Sequence, residues 1–271
     1  MFIRLQPSGP QRCSIYGRFP ATHMFHMDQV PLEFTLNKKR TLSPMGEPTF
    51  LLKPHGSGLE KRQASLQLCI RAEGEQIVRL GIIFRGRGIK ISAAERKLYL
   101  ALSPLLQVYF QPKAWADGLV SLAWLEQFRT ETESLDNVLL GMDCHGAQQT
   151  AAFRGKLAEY TIQPVYTPPK CTDQVSPCDH HVGRRLKYLM ELTYKQDFEA
   201  NWQQWANFGL SARDVRMKLA LWAAVAWHQL RNETSFLRSA FVSTGFLIAK
   251  DGSQDNLIKI GGINNYSFRV E

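Results

Sequence analysis

The sequence predicts an α/β fold, a mixed sheet with helices packed on it, and three observations carry that prediction. Strand-like runs parted by glycine- and lysine-rich turns such as PHGSGLEKR fill the first third. VLLGM, residues 138 to 142, is apolar throughout, as a strand covered on both faces must be. After the segment Ile162–Tyr166 and a proline-containing loop, the spacing of apolar residues becomes helical.

In order, residues 1 to 20 are rich in Pro, Gly and Gln and read as an irregular lead-in. Thr22–Met27, Glu33–Leu36, Ser65–Arg71 and Ile77–Phe84 read as strands of an antiparallel meander. Gln107–Phe110 is a short strand, and Leu119–Arg129 has helical spacing through Leu122, Trp124, Leu125 and Phe128. A helix near Gln148–Glu159 follows VLLGM. Beyond the loop TPPKCTDQVSP, helices are expected at His180–Phe198, Ala212–Arg231 and Ser235–Val242.

The 271 residues suffice for one large domain with a core of its own. With 44% hydrophobic and 21% charged residues the composition is that of a soluble globular chain. No apolar run reaches the length of a membrane span, so no membrane partner is expected. The opening MFIRLQPSGPQRCS lacks an apolar core, so no secretion signal is expected and the location should be intracellular, nuclear in a eukaryote. Five scattered cysteines form no CxxC pair. Cys171, Cys178, His180 and His181 are conceivable zinc ligands, but their spacing fits no standard finger.

The net charge is +9 and the pI about 9.4, which favours a polyanionic partner. Basic residues gather at Arg85, Arg87 and Lys90, at Arg96 and Lys97, and at Lys170, Arg184, Arg185 and Lys187. Of these, Arg85, Arg87, Lys90, Lys170, Arg184, Arg185 and Lys187 are the expected nucleic-acid contacts.

Three aspartates share a situation. HMDQVPLEF ends a strand-like run at Asp28, VLLGMDCHG ends another at Asp143, and CTDQVSPCDHHVGRRLK enters a helix at Asp179. Singly, each has an ordinary reading as a turn, a strand-end polar group or a helix cap. Together they can converge at one sheet edge, and such a site needs a hard divalent cation to offset its charge.

The ordered blocks FHMDQVPLEF, RQASLQLCIRAEG with LGIIFRGRG, VYFQPKAWADGLVSLAWLEQF, LLGMDCHGAQQTAAFRGKL, VYTPPKCTDQVSPCDHHVGRRLK and SAFVSTGF resemble the DDE superfamily of transposase and endonuclease domains, in its pogo and Tc1/mariner-like branch. The resemblance runs from about Thr22 to Phe246. It implies an RNase H-like mixed sheet flanked by helices, with a helical C-terminal extension, in a domain over 21–250 with a tail at 251–271. It also implies Asp28, Asp143 and Asp179 as a catalytic, metal-binding triad holding two Mg²⁺ or Mn²⁺ ions. The separation of Asp143 from Asp179 is familiar in that superfamily. The expected activity is DNA cleavage and strand transfer; the alternative is a transposon-derived host protein that binds DNA or partners without catalysis. DNA is the expected partner, and a homodimer is compatible with the family.

Three departures stand out. Gln29 follows the first aspartate where the family often has Glu, Cys178 replaces an aliphatic residue, and His145 lies closer to Asp143 than the family's histidine does. His145 therefore reads as an ordinary hydrogen-bonded histidine. No helix-turn-helix pattern precedes Asp28, so the DNA-recognition module is expected to be separate or missing.

Overall fold

The computed structural model describes residues 19–33, 62–167, 171–201, 211–249 and 253–259. Lys170, most of the expected Glu33–Leu36 strand and the lead-in before residue 19 lie outside these residues. In chain order the elements are β1 (Met24–Glu33), β2 (Arg62–Arg71), β3 (Leu80–Arg85), α1 (Ala93–Leu102), β4 (Leu106–Gln111), α2 (Gly118–Glu131) and β5 (Val138–Met142). There follow α3 (Ala151–Glu159), β6 (Ile162–Tyr166), the single turn α4 (Thr172–Val175), α5 (Gly183–Ala200), α6 (Ala212–Leu230) and α7 (Thr234–Ser243).

The six strands form one sheet in the order β4-β3-β2-β1-β5-β6. β2 is antiparallel to both its neighbours, and every other pairing is parallel. All strands but β2 therefore point the same way, and their C-terminal ends share one edge. This is the RNase H-like mixed sheet flanked by helices that the sequence resemblance implied.

Two layers cover the sheet. On one face Met24, Leu66, Leu68, Ile82 and Leu139 pack against Leu186, Leu219, Trp227 and Phe241 of the C-terminal helices. On the other, Phe25, Met27 and Leu140 pack against Trp124 and Phe128 of α2 and Phe153 of α3. Alternation along β1 puts His26 and Asp28 on the same face as Met24, Val30 and Leu32, beneath α5 and α7.

The expected end of the first strand at Asp28 is corrected. Asp28 lies in the middle of β1, which continues against β2 as far as the Glu33–Arg62 pair. Proline 31 does not stop it: β5 accompanies β1 only over Met24–His26, so the later half of β1 is edge-like on that side, where a missing N–H is tolerated. Helix α1 was not anticipated. Ser92 caps it, accepting from the Glu95 N–H (3.2 Å), while Glu95 accepts in return from the Ser92 N–H (3.0 Å).

Candidate active site

The site grows out of strand register. Asp28 faces Leu68 of β2, and on its other side His26 is level with Gly141 of β5. Two residues further along β1 stands Asp28, on the face covered by the C-terminal helices, and two residues beyond Gly141, just past the last residue of β5, stands Asp143. Asp28 is only 8% exposed. Its Oδ1 accepts from the Gln29 N–H (2.6 Å) and its Oδ2 from the Ser176 hydroxyl (3.2 Å).

Burial, then the charges of Asp179 and Asp143, push the Asp28 carboxyl up to about 8, against the pull of its two hydrogen-bond donors. Asp28 thus lies within electrostatic reach of both Asp179 and Asp143. Asp143 is half-buried; its carboxyl is raised by desolvation, opposed by the His145 ring and backbone N–H.

Asp143 is held from two sides. The His145 N–H donates to its Oδ1 (3.3 Å). With its amide oriented nitrogen-inward, Gln148 donates to the same Oδ1 (2.9 Å) and to the Asp143 carbonyl (2.7 Å). His145 is a hydrogen-bonded side chain, as its position in the sequence predicts: Trp115 Nε1 donates to its Nε2 (2.6 Å). Trp115 sits in the loop after β4, which crosses back towards β1. There the Ala116 N–H donates to Gln29 Oε1 (3.2 Å), so the residue that departs from the family's Glu anchors this loop.

Asp179 enters from the helical layer. It lies on a π-helical turn, Cys178–Val182, that leads into α5, and it is exposed. Its N–H donates to Ser176 Oγ (3.1 Å), the same oxygen whose proton goes to Asp28. Ser176, 1% exposed, therefore couples the helix entrance to the strand. Cys178 is buried, with its thiol 3.4 Å from the His26 carbonyl oxygen. Among the described residues no three His, Cys, Asp or Glu side chains form a ready-made metal cage, which counts for neither the zinc reading nor a closed carboxylate cage. Each aspartate is instead engaged by neutral donors or exposed.

Behind Asp28 lies a histidine that sequence reasoning missed. His26 is fully buried, and neither ring nitrogen has a hydrogen-bond partner. Burial pulls it down to about 3, so it is neutral. Its ring meets Phe246 edge to face at 5.2 Å, and a Cβ on Gly141 would stand 2.5 Å from its Cδ2. The glycine inside the apolar VLLGM run is there for this close approach. Ser176, Gln148 and Trp115 were missed as well; the small hydroxyl residue before Pro177 and the tryptophan between two strand-helix elements were the available signals.

The predicted basic contacts divide. Arg85, which ends β3, and Arg87 and Lys90 on the loop after it are exposed, as are Arg184 and Lys187 on α5. Arg185 is committed to Glu233, donating to both its oxygens (closest contact 2.6 Å), and lies over the Tyr188 ring. No helix among the described residues is long and apolar enough to cross a membrane.

No curated protein matches the chain. Solved structures that resemble it include the Mos1 strand transfer complex, at 13% identity and a TM-score of 0.41 over 87% of this chain and 59% of that one. The catalytic domain of Mos1 mariner transposase matches at 13% identity and a TM-score of 0.33, over 87% of this chain and 89% of that one. A Mos1 paired-end complex matches at 14% identity and a TM-score of 0.38, over 84% of this chain and only 58% of that one. The chain therefore spans less than two thirds of the transposase chains in these DNA complexes. Residues 61–241, more than half of the chain, match the profile of the DDE superfamily endonucleases, and the chain belongs to that family.

Proposed function

We propose that this chain is a divalent-metal-dependent DNA endonuclease and strand-transfer domain of the transposase kind, with Asp28, Asp143 and Asp179 as its catalytic carboxylates. What supports the reading is that Asp28, buried in β1 and held by Ser176, lies within reach of the charges of Asp179 and Asp143, which add to burial in raising its carboxyl. A carboxylate destabilised by two like neighbours is relieved by a hard cation, and the donor set is all oxygen, so it fits Mg²⁺ or Mn²⁺.

When bound, a pair of such ions lowers the pKa of an attacking water or 3′-hydroxyl and offsets charge on the leaving oxygen. The chain's own residues hold that arrangement. Asp28 projects from β1, Asp143 follows the end of the adjacent β5, and Asp179 stands at the entrance of α5. Ser176 and Gln148 fix the orientation of Asp28 and Asp143. Arg85, Arg87, Lys90, Lys170, Arg184 and Lys187 supply the positive field for DNA, while Arg185 contributes less because Glu233 offsets it.

The test is a supercoiled-plasmid nicking assay in Mn²⁺ with wild type and Asp143→Asn, beside a thermal melt of each. Asn keeps the shape and the contact with the His145 N–H but not the charge that holds a hard cation. Nicking is expected from wild type alone, with melts that show both proteins folded. Equal nicking by both removes Asp143 from the chemistry, and no nicking by either favours a DNA-binding protein without catalysis.

A further inference from the structure

Away from the aspartates, the end of β3, the loop after it, β4 and the start of α6 border an open groove of about 310 Å³ lined by Arg85, Arg87, Ile89, Lys90, Phe110 and Arg216, with Gly86 and Gly88 between them. Gly86 and Gly88 take φ values of +137° and +69°, which glycine alone adopts at no steric cost. Gly88 lies so close to the Phe110 ring that a Cβ there would be 2.9 Å from Cδ2. The loop thus folds down onto an aromatic floor with its cations on the rim. Arg216 is fixed in place by Glu95 (2.6 Å), a carboxylate only 1% exposed. Arg85, Arg87 and Lys90 make no ion pair among the described residues.

We propose that this cradle grips the sugar-phosphate backbone of duplex DNA about six base pairs from the bond that is cut. The proposal rests on the carboxylate site described above. Three features choose this occupant. Unpaired cations around a concave floor fit phosphate oxygens. Ile89, 75% exposed between Arg87 and Lys90, is an apolar contact that a free anion would leave in water and a deoxyribose would cover. The sheet also sets the distance. Asp28 faces Leu68, and Gln67 faces Gly81, so the Asp28 row meets β3 at Leu80. Arg85 lies five residues further on and two strands across, which amounts to about 20 Å at about 3.3 Å per residue and about 4.8 Å per strand. At about 3.4 Å per base pair that is about six base pairs. Phe110 and Arg216 place the groove on the helix-covered face that also carries Asp28.

The test uses the full chain. The plasmid nick is mapped, and a duplex of about 30 base pairs centred on it is trimmed stepwise on each side. Affinities are measured in EDTA, so that no cleavage intervenes, for wild type and for the Arg85→Ala/Arg87→Ala/Lys90→Ala variant. Wild type should lose about tenfold when one flank falls below about six base pairs, while the variant, already weaker on the long duplex, should not change. The variant's log K against log salt should also be shallower by about 3. Should the variant fold poorly, methylphosphonates at the fifth to seventh phosphates from the nick should weaken wild-type binding by a similar factor, with no effect at the twelfth. Inorganic phosphate at matched ionic strength should not displace the duplex; displacement would make the cradle a free-anion site and overturn the proposal. Equal losses on trimming for both proteins would overturn it while leaving the nicking reading intact. Binding of a 30-base-pair duplex that drops in the variant without any nicking by wild type would sink the catalytic reading and keep the cradle as a DNA contact. No binding by either protein would overturn both.

Discussion

Asp28 combines burial with two like-charged neighbours, and the pH behaviour of the protein follows from that. Its folded-state carboxyl sits near 8 against 3.8 in the unfolded chain, so the native state binds this proton more tightly. The stabilisation is complete below about pH 3.8 and is lost as pH rises towards 8. Asn carries no charge at any pH. In EDTA the Asp28→Asn variant should therefore melt at the same temperature as wild type near pH 4 and higher by on the order of 5 °C at pH 8. A gain independent of pH would show that ionisation is not its source. Adding Mg²⁺ should raise wild type and leave the variant behind, because only the carboxylate form holds the ion. The aspartates themselves were legible in the sequence, since each interrupts an apolar or proline-marked stretch. Ser176 and Gln148 were not, because their value comes from which oxygen they meet, and that depends on how β1, β5 and α5 are brought together. His26 was hidden for a related reason: only the approach of Gly141 and Phe246 turns an alternating polar position into a sealed one.

At the level of elements, what could be read was what had an apolar pattern. VLLGM and Ile162–Tyr166 coincide with β5 and β6, and the long C-terminal helices lie within a few residues of their apolar spacing. Helix α1 is short and meets the core through the partly buried Tyr99 and Leu102; its one buried residue is Glu95, and Leu100 is 75% exposed. The Ser-x-x-Glu capping pair was its clearest local signal. β1 was cut short because an aspartate and a proline inside a strand look like an ending, and only its pairing with β2 shows otherwise. The same α1 explains why Glu95 matters. It closes the capping box and, from a buried position, holds Arg216 of α6 across the layer. Glu95→Ala should cost about 2 kcal/mol, from a lost cap and an unpaired guanidinium. Chemical denaturation should show this as a lower midpoint with an unchanged slope; a change below about 0.5 kcal/mol would mean that water replaces the carboxylate.

Across the whole molecule the parallel strands send their C-terminal ends, and so Asp143 and the basic loop, to a common edge, while Asp28 lies further back in β1. Of the expected DNA contacts, Arg85, Arg87, Lys90, Arg184 and Lys187 are exposed there or on α5, whereas Arg185 is spent on Glu233. Five phosphate contacts should give log K a slope of about −4 to −5 against log salt for duplex DNA. A fluorescence-anisotropy titration between 50 and 200 mM salt, roughly the range over which such contacts are lost, measures it; a slope near zero would exclude backbone contacts. Net charge was readable from composition, but which cations are free was not, because Glu233 and Arg185 are 48 residues apart and meet only in the fold.

β1 has two very different neighbours. β2 follows it after 28 residues, whereas β5 joins it from more than a hundred residues downstream, and the turn bearing Asp179 comes later still. Chain closure over such separations is slow compared with local pairing. During refolding the meander can form early, while the three aspartates assemble only when the last third of the chain has docked. On the proposed catalytic reading, a nascent or clipped copy lacking α5 would lack the Asp179 turn's support and would not nick DNA.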